Sequence, residues 1–110
     1  MRTWISQMRK GVVELCIMAI LHEGEAYGYQ LIQKLADVKG LAITESTIYP
    51  ILSRLTKEGY IQVRVASSYT GPPRRYYRLA SSGISRLEQM EKYWKDIKLS
   101  IDELLKGENK

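Results

Sequence analysis

The chain has 110 residues with one Cys, one His, eight Tyr, two Trp and no Phe, and its 17 Lys+Arg against 12 Asp+Glu give a net charge of +5. That length suits one domain, or a small domain with an appended element, and an apolar fraction of 45% argues against disorder. A single Cys and a single His exclude an internal disulfide framework and a metal site of several soft ligands, so no metal or cofactor is expected and a reduced, intracellular setting fits.

Residues 4–21 read as a first helix, apolar nearly all round in its second half, the pattern of burial on more than one side. The run from Val12 to Leu21 spans ten residues and contains Glu14. A bilayer span needs about 20, and no small-residue cleavage site follows. Neither a membrane nor an export signal is expected. Cys16 within this helix reads as an inert buried thiol, and His22 as a partner of the helix C-terminus. After a break at Gly24-Glu25-Ala26, residues Gly28, Leu31, Ile32 and Leu35 fall at i, i+3, i+4, i+7, one face of a second helix. Val38-Lys39-Gly40 ends it. Thr44 to Thr47 is rich in N-cap residue types, and Ile48, Ile51, Leu52 and Leu55 repeat the same spacing in a third helix that closes at Gly59.

Ile61, Val63 and Val65 then alternate with polar residues, the period of a half-buried strand. Residues 67–73 form a turn cluster, and residues 74–79 form a second strand rich in Arg and Tyr. A three-helix helix-turn-helix unit followed by a basic β-hairpin is a winged helix. Ser81-Ser82-Gly83 opens a last helix, in which Leu87, Met90, Trp94, Ile97, Ile101 and Leu104 are spaced 3-4-3-4-3, a heptad stripe. The expected architecture is mainly α with a small β-hairpin (α+β). Residues 1–80 make a winged helix-turn-helix DNA-binding domain, with the first helix also contributing to a dimer. Residues 81–110 make a long C-terminal dimerisation helix, its stripe divided between packing back onto the first helix of the same chain and a two-fold partner. The charge divides likewise: residues 1–80 hold 11 basic and 6 acidic side chains, residues 81–110 hold 6 of each, and residues 61–80 hold four Arg and no acid. Such a local excess is a solvated face or a surface for a polyanion.

Three stretches resemble the PadR-type transcriptional regulators. Residues 15–28, ending in Ala26-Tyr27-Gly28, resemble the junction of their first two helices; Glu45-Ser46-Thr47-Ile48-Tyr49-Pro50-Ile51-Leu52-Ser53-Arg54-Leu55 resembles their recognition helix; and Gly71-Pro72-Pro73-Arg74-Arg75-Tyr76-Tyr77-Arg78-Leu79, followed by Gly83, resembles their wing. The similarity runs over residues 9–83, and the heptad helix stands where the family has its dimerisation helix. The resemblance implies a dimeric, cytoplasmic repressor of the short subgroup with a single C-terminal helix, which leaves its operator when an effector binds.

On a helical wheel with Ile48, Ile51, Leu52 and Leu55 inward, Ser46, Pro50, Ser53 and Lys57 face outward and Thr47, Tyr49, Arg54 and Thr56 flank them. Small hydroxyls allow close approach to DNA and bond phosphates or base edges, with Arg54 and Lys57 as phosphate clamps. Thr44, Ser46 and Thr47 belong to this set, unless they only cap the helix; Tyr49 belongs to it, unless it packs on the first helix. Pro50 requires a helix that starts near Thr47 or a distorted first turn. In the wing, Arg74, Tyr76 and Arg78 share one face, and Arg75, Tyr77 and Leu79 the other, which is taken as inward. Arg74 at the tip suits a minor groove or flanking phosphate. Arg75 either joins it and Tyr76 on DNA or makes an ion pair with an acid on helix 1 or 3. Tyr49, Tyr69 and Tyr76, with Tyr77 if it is not turned inward, supply aromatic bodies with polar tips for a wet polyanion surface.

The dimer seam is expected to comprise Trp4, Met8, Leu87, Met90, Trp94, Ile97, Ile101 and Leu104. Some members of the family hold flat, apolar molecules between paired Trp residues, so the resemblance implies a planar small-molecule effector at Trp94, with Tyr93, Met8 and Met90 beside it; the alternative is that Trp94 is only dimer core. The expected partners are thus a double-stranded DNA operator, a second copy of the chain and that effector. A winged-helix module binding a protein or RNA is the competing function. An enzyme is disfavoured, for there is no Gly-rich phosphate loop and no recognisable catalytic motif.

Overall fold

Apolar periodicity becomes packing around one shared core. A computed structural model, describing residues 2–68 and 70–107, runs α1 (Arg2–Glu23), β1 (Ala26–Tyr27), α2 (Gly28–Ala36), α3 (Glu45–Lys57), β2 (Ile61–Ala66), β3 (Arg74–Leu79) and α4 (Ser81–Lys106). Tyr69 lies outside the described residues. Val13, Ile17, Met18 and Leu21 of α1, Leu31 and Leu35 of α2, and Ile48, Leu52 and Leu55 of α3 are all buried, and Leu41, Ile61 and Tyr77 join them. Each such side chain contributes about 1.5–3 kcal/mol on leaving water. Ile32 and Ile51, at the edges of their stripes, are half-buried. Among the described residues no helix is long and apolar enough to cross a membrane.

The ends of α3 follow from its sequence in one case and contradict it in the other. At the C-terminus, Gly59 adopts φ +84, and the Gly59 and Tyr60 amides donate to the Thr56 and Leu55 carbonyls at 3.1 and 3.0 Å, a Schellman closure. At the N-terminus, Thr44 is the cap residue but its side chain makes no capping bond. Its hydroxyl instead pairs with those of Ser46 (2.9 Å) and Thr47 (3.4 Å), while its carbonyl accepts from the Thr47 and Ile48 amides. Of the two roles open to the Thr44 hydroxyl, capping is not the one adopted, and it joins a hydroxyl cluster instead. Nor does α3 start late to avoid Pro50: the helix begins at Glu45 and runs through the proline. Having no N–H, Pro50 leaves the Ser46 carbonyl without its i+4 donor.

The hairpin is antiparallel, from Ile61↔Leu79 to Ala66↔Arg74, and β1 adds to its other side through Ala26↔Tyr77 and Tyr27↔Tyr76, giving the order β1-β3-β2. The two-residue β1 was not expected, because two residues show no alternation. The wing's inward face is as read from the sequence: Tyr77 is buried and Leu79 half-buried. The first turns of α4 are fixed to the hairpin base. The Tyr60 carbonyl accepts the Ala80 amide at 3.0 Å, Ser82 Oγ donates to the Gly59 carbonyl at 2.8 Å, and Gly83 lies against the Tyr60 carbonyl so closely that a β-carbon has no room. Leu87 is buried in this same core, so it is committed within its own chain and corrects its place in the expected dimer seam. Beyond it α4 projects, and the molecule measures 61 × 31 × 21 Å.

Candidate nucleic-acid interface

Burial of Ile48, Leu52 and Leu55 turns the opposite face of α3 to solvent, where Ser46, Pro50, Ser53 and Lys57 are exposed. Thr47 is half-buried at the flank. The Tyr49 ring lies over Gly28 at the start of α2, with the hydroxyl 3.0 Å from where a β-carbon would stand. The gap between α3 and β3 is a groove of about 410 Å³ lined by Tyr49, Ser53, Thr56, Lys57, Val63, Arg75 and Tyr77. Tyr49, Arg75 and Tyr77 also border an adjoining depression, shared with Tyr27, Gly28, Tyr29 and Arg74. Hydroxyls, a lysine and two arginines thus meet along one concave surface.

The four wing arginines divide by strand alternation. Arg64 donates to both oxygens of Glu25 (2.9 and 2.7 Å) and lies 4.5 Å from the centre of the Tyr76 ring. Tyr76 meets Tyr27 edge-on at 5.7 Å, Arg74 covers Tyr27 at 4.5 Å, and Arg78 Nε donates to Gln62 at 3.0 Å. One face of the sheet is therefore a stacked ladder, with Tyr76 half-buried inside it. Arg75 points the other way, into the α3 groove, where no acid lines the walls. The ion pair weighed for Arg75 belongs instead to Arg54, whose guanidinium is shared by Glu14 of α1 and Glu58. As a phosphate clamp Arg54 is thereby pre-engaged, and Lys57 and Arg75 are the basic groups facing the groove.

A second concavity, about 370 Å³, lies between α1 and α4, lined by Gly11, Val12, Leu15, Arg86, Gln89, Met90, Tyr93, Trp94 and Ile97. Met90, Tyr93 and Trp94 meet there as expected from the sequence. Met8 does not line it: it is 44% exposed, as Trp4 is at 61%, further towards the start of α1. Down α4, Trp94, Ile97, Ile101 and Leu104 are 36, 37, 45 and 66% exposed, an apolar stripe that α1 partly covers at Trp94 and Ile97 and that opens progressively towards Leu104. Among the described residues no cluster of three or more His, Cys, Asp or Glu could hold a metal ion.

Residues 17–89 match the family model described as the Transcriptional regulator PadR-like family. The chain belongs to that family. Its members are transcriptional regulators, not enzymes. The PadR-like chain is similar to a PadR-like transcription factor from Bacteroides fragilis (40% identity, TM-score 0.77, covering 90% of this chain and 95% of that one) and to a PadR-like regulator from Bacillus cereus (37%, 0.81, 90% and 96%). The Bacillus subtilis PadR structure in complex with operator DNA is 31% identical with TM-score 0.64, over 72% of this chain and 46% of that one. The same organism's negative transcriptional regulator PadR is 32% identical over 78 residues, 69% of this chain and 43% of the other.

Several residues of the PadR-like chain's sites were missed in the sequence. Tyr27 and Tyr29 flank Gly28 and bring the start of α2 to the wing tip; the Tyr-Gly-Tyr pattern was the available signal. Glu14 had none. Burial raises its carboxyl pKa, but hydrogen bonds from Arg54 and Arg86 and the charge of both outweigh that and hold it below the ordinary carboxylate value. The hydrogen bond from Arg64 likewise lowers Glu25. Burial raises the thiol pKa of half-buried Cys16, which keeps it protonated.

Proposed function

We propose that this PadR-like chain is a homodimeric repressor that grips a palindromic DNA operator and releases it when a small planar aromatic or apolar molecule enters the α1–α4 groove. The observation that carries the reading is the α3–β3 groove: Ser53, Lys57, Tyr49 and Arg75 line it without an acidic side chain. On this reading α3 enters the major groove, where Thr44, Ser46, Thr47, Tyr49 and Ser53 offer hydroxyls to phosphates and base edges. Lys57 and Arg75 bind phosphates, and Arg74 and Tyr76 bring the wing to the flanking backbone or minor groove. Bacillus subtilis PadR, whose complex holds operator DNA, supports the choice of nucleic acid over a protein partner.

The second subunit is expected on the exposed stripe of Trp94, Ile97, Ile101 and Leu104, joined by Met90, Trp4 and Met8. A two-fold pairing there matches a palindrome, since operator symmetry mirrors protein symmetry. Trp94, Tyr93 and Met90 make the groove's apolar wall, suited to a flat ligand.

The test is binding of the full chain to duplexes enriched from a random pool, followed by fluorescence anisotropy across salt. Roughly four to six phosphate contacts per subunit predict a log–log slope of about −4 to −5 for each subunit. An enriched pool without palindromes, or binding indifferent to salt, would overturn the reading.

A further inference from the structure

The Glu14 carboxylate stands between two helices that do different work. Its Oε1 accepts from Arg54 Nη2 on α3, and its Oε2 accepts from Arg86 Nε on α4 at 3.0 Å. Each oxygen is thus committed to a different helix, while Glu14 itself is fixed on α1 beside Val13. Its side chain is 15% exposed, so solvent screens the pair less than it would a surface pair. Arg86 is also a wall residue of the α1–α4 groove, next to Met90 and Trp94. The same guanidinium lies 4.5 Å from the centre of the Tyr60 ring, where α3 has turned into the wing. Arg54 follows Ser53 and precedes Lys57 by three residues, so its position fixes the rotation of the outward face of α3.

We propose that Glu14 is a positioning residue that couples the two surfaces: the placement of Arg86 in the α1–α4 groove is passed through its carboxylate to Arg54, and so to the orientation of α3 on DNA. This rests on the reading of α3 and the wing as the DNA face. The carboxylate holds two cations at once. Anything that moves Arg86, whether an occupant of the groove or a repacked α4, changes the balance of forces on the same group that anchors Arg54. The link also runs in reverse, since coupling between binding sites is reciprocal: DNA held by α3 must alter the surroundings of Trp94.

The chain's two tryptophans make this measurable, because Trp4→Phe leaves Trp94 as the only one. In that background, saturating the full chain with a duplex enriched from a random pool is expected to shift Trp94 emission. Adding Glu14→Gln is expected to abolish the shift while the duplex still binds. A merely structural role would lower stability and leave the shift in place. Arg54→Gln, on a half-exposed side chain, serves if Glu14→Gln does not fold, and should abolish the shift equally. In addition, Arg54→Gln and Arg86→Gln should be non-multiplicative in their effects on DNA affinity, by about fivefold or more, and become multiplicative when Glu14→Gln is present. If no duplex is enriched, the DNA reading falls and takes the coupling with it. If a duplex binds but Trp94 does not respond, or responds equally with Glu14→Gln, the coupling alone is overturned.

Discussion

A methyl group at Gly83 would overlap the Tyr60 carbonyl oxygen, which is backbone and already accepts the Ala80 amide. Gly83→Ala is therefore expected to destabilise the chain by about 3 kcal/mol, the upper range of overpacking, in urea unfolding at fixed protein concentration. Gly11, in mid-helix with nothing within 4 Å of a built β-carbon, gives the opposite sign: Gly11→Ala should stabilise by roughly 0.5–1 kcal/mol. Equal effects from the two would refute the close approach at Gly83. Glu14 makes a pH prediction. Its folded pKa is depressed, so its contribution is complete above the ordinary value of 4.5 and is lost as the pH falls below that through the folded value. With both arginine partners a third to a half exposed, about 1 kcal/mol is expected. Thermal unfolding should show Glu14→Gln less stable than the parent at pH 7 and closer to it in acid; a constant gap across that window would disprove the assignment.

Among the elements, α4 makes the clearest demand for something outside its own chain. Its stripe is buried at Leu87, partly covered by α1 at Trp94 and Ile97, and most open at Ile101 and Leu104. Ile101→Asp places a charge in the middle of that stripe, far from the core, and is expected to give folded monomers by analytical ultracentrifugation with operator affinity at least tenfold weaker. Monomers that bind as tightly as the parent would show the stripe irrelevant to DNA. The elements also differ in how well the sequence disclosed them. The apolar faces of α2 and α3 were legible because a 3.6-residue period leaves a repeated trace, and Arg74 to Leu79 because strand alternation does. β1 was not legible, since its pairing depends on where Tyr76 and Tyr77 arrive from fifty residues away. The Arg54–Glu14 pair was hidden for the same reason: the partners stand forty positions apart, and only the packing of α3 beside α1 selects that acid over others. Tyr49 lay on the flank as expected, but its partner was Gly28, which no spacing rule names.

At the scale of the whole molecule, the charge is organised rather than merely positive. The excess lies before residue 81, and Arg75, Lys57 and Arg74 carry part of it to one concave side, while Glu25, Glu14 and Gln62 occupy Arg64, Arg54 and Arg78. Half of the basic groups that composition suggested for a polyanion thus hold the scaffold together, a division fixed by strand and helix facing and invisible in a residue count. The seating of Gly83 under Tyr60 has a mechanical consequence as well. It makes the start of α4 a fulcrum and the remaining helix a lever. From Gly83 to the end at Lys106 the lever is about 35 Å long, so each degree of tilt at the fulcrum sweeps its tip through about 0.6 Å. In the proposed dimer the tips are clasped, and the reading heads ride at the other ends. A ten-degree change at the clasp then displaces each head by about 6 Å, roughly a sixth of the 34 Å that separates successive turns of DNA.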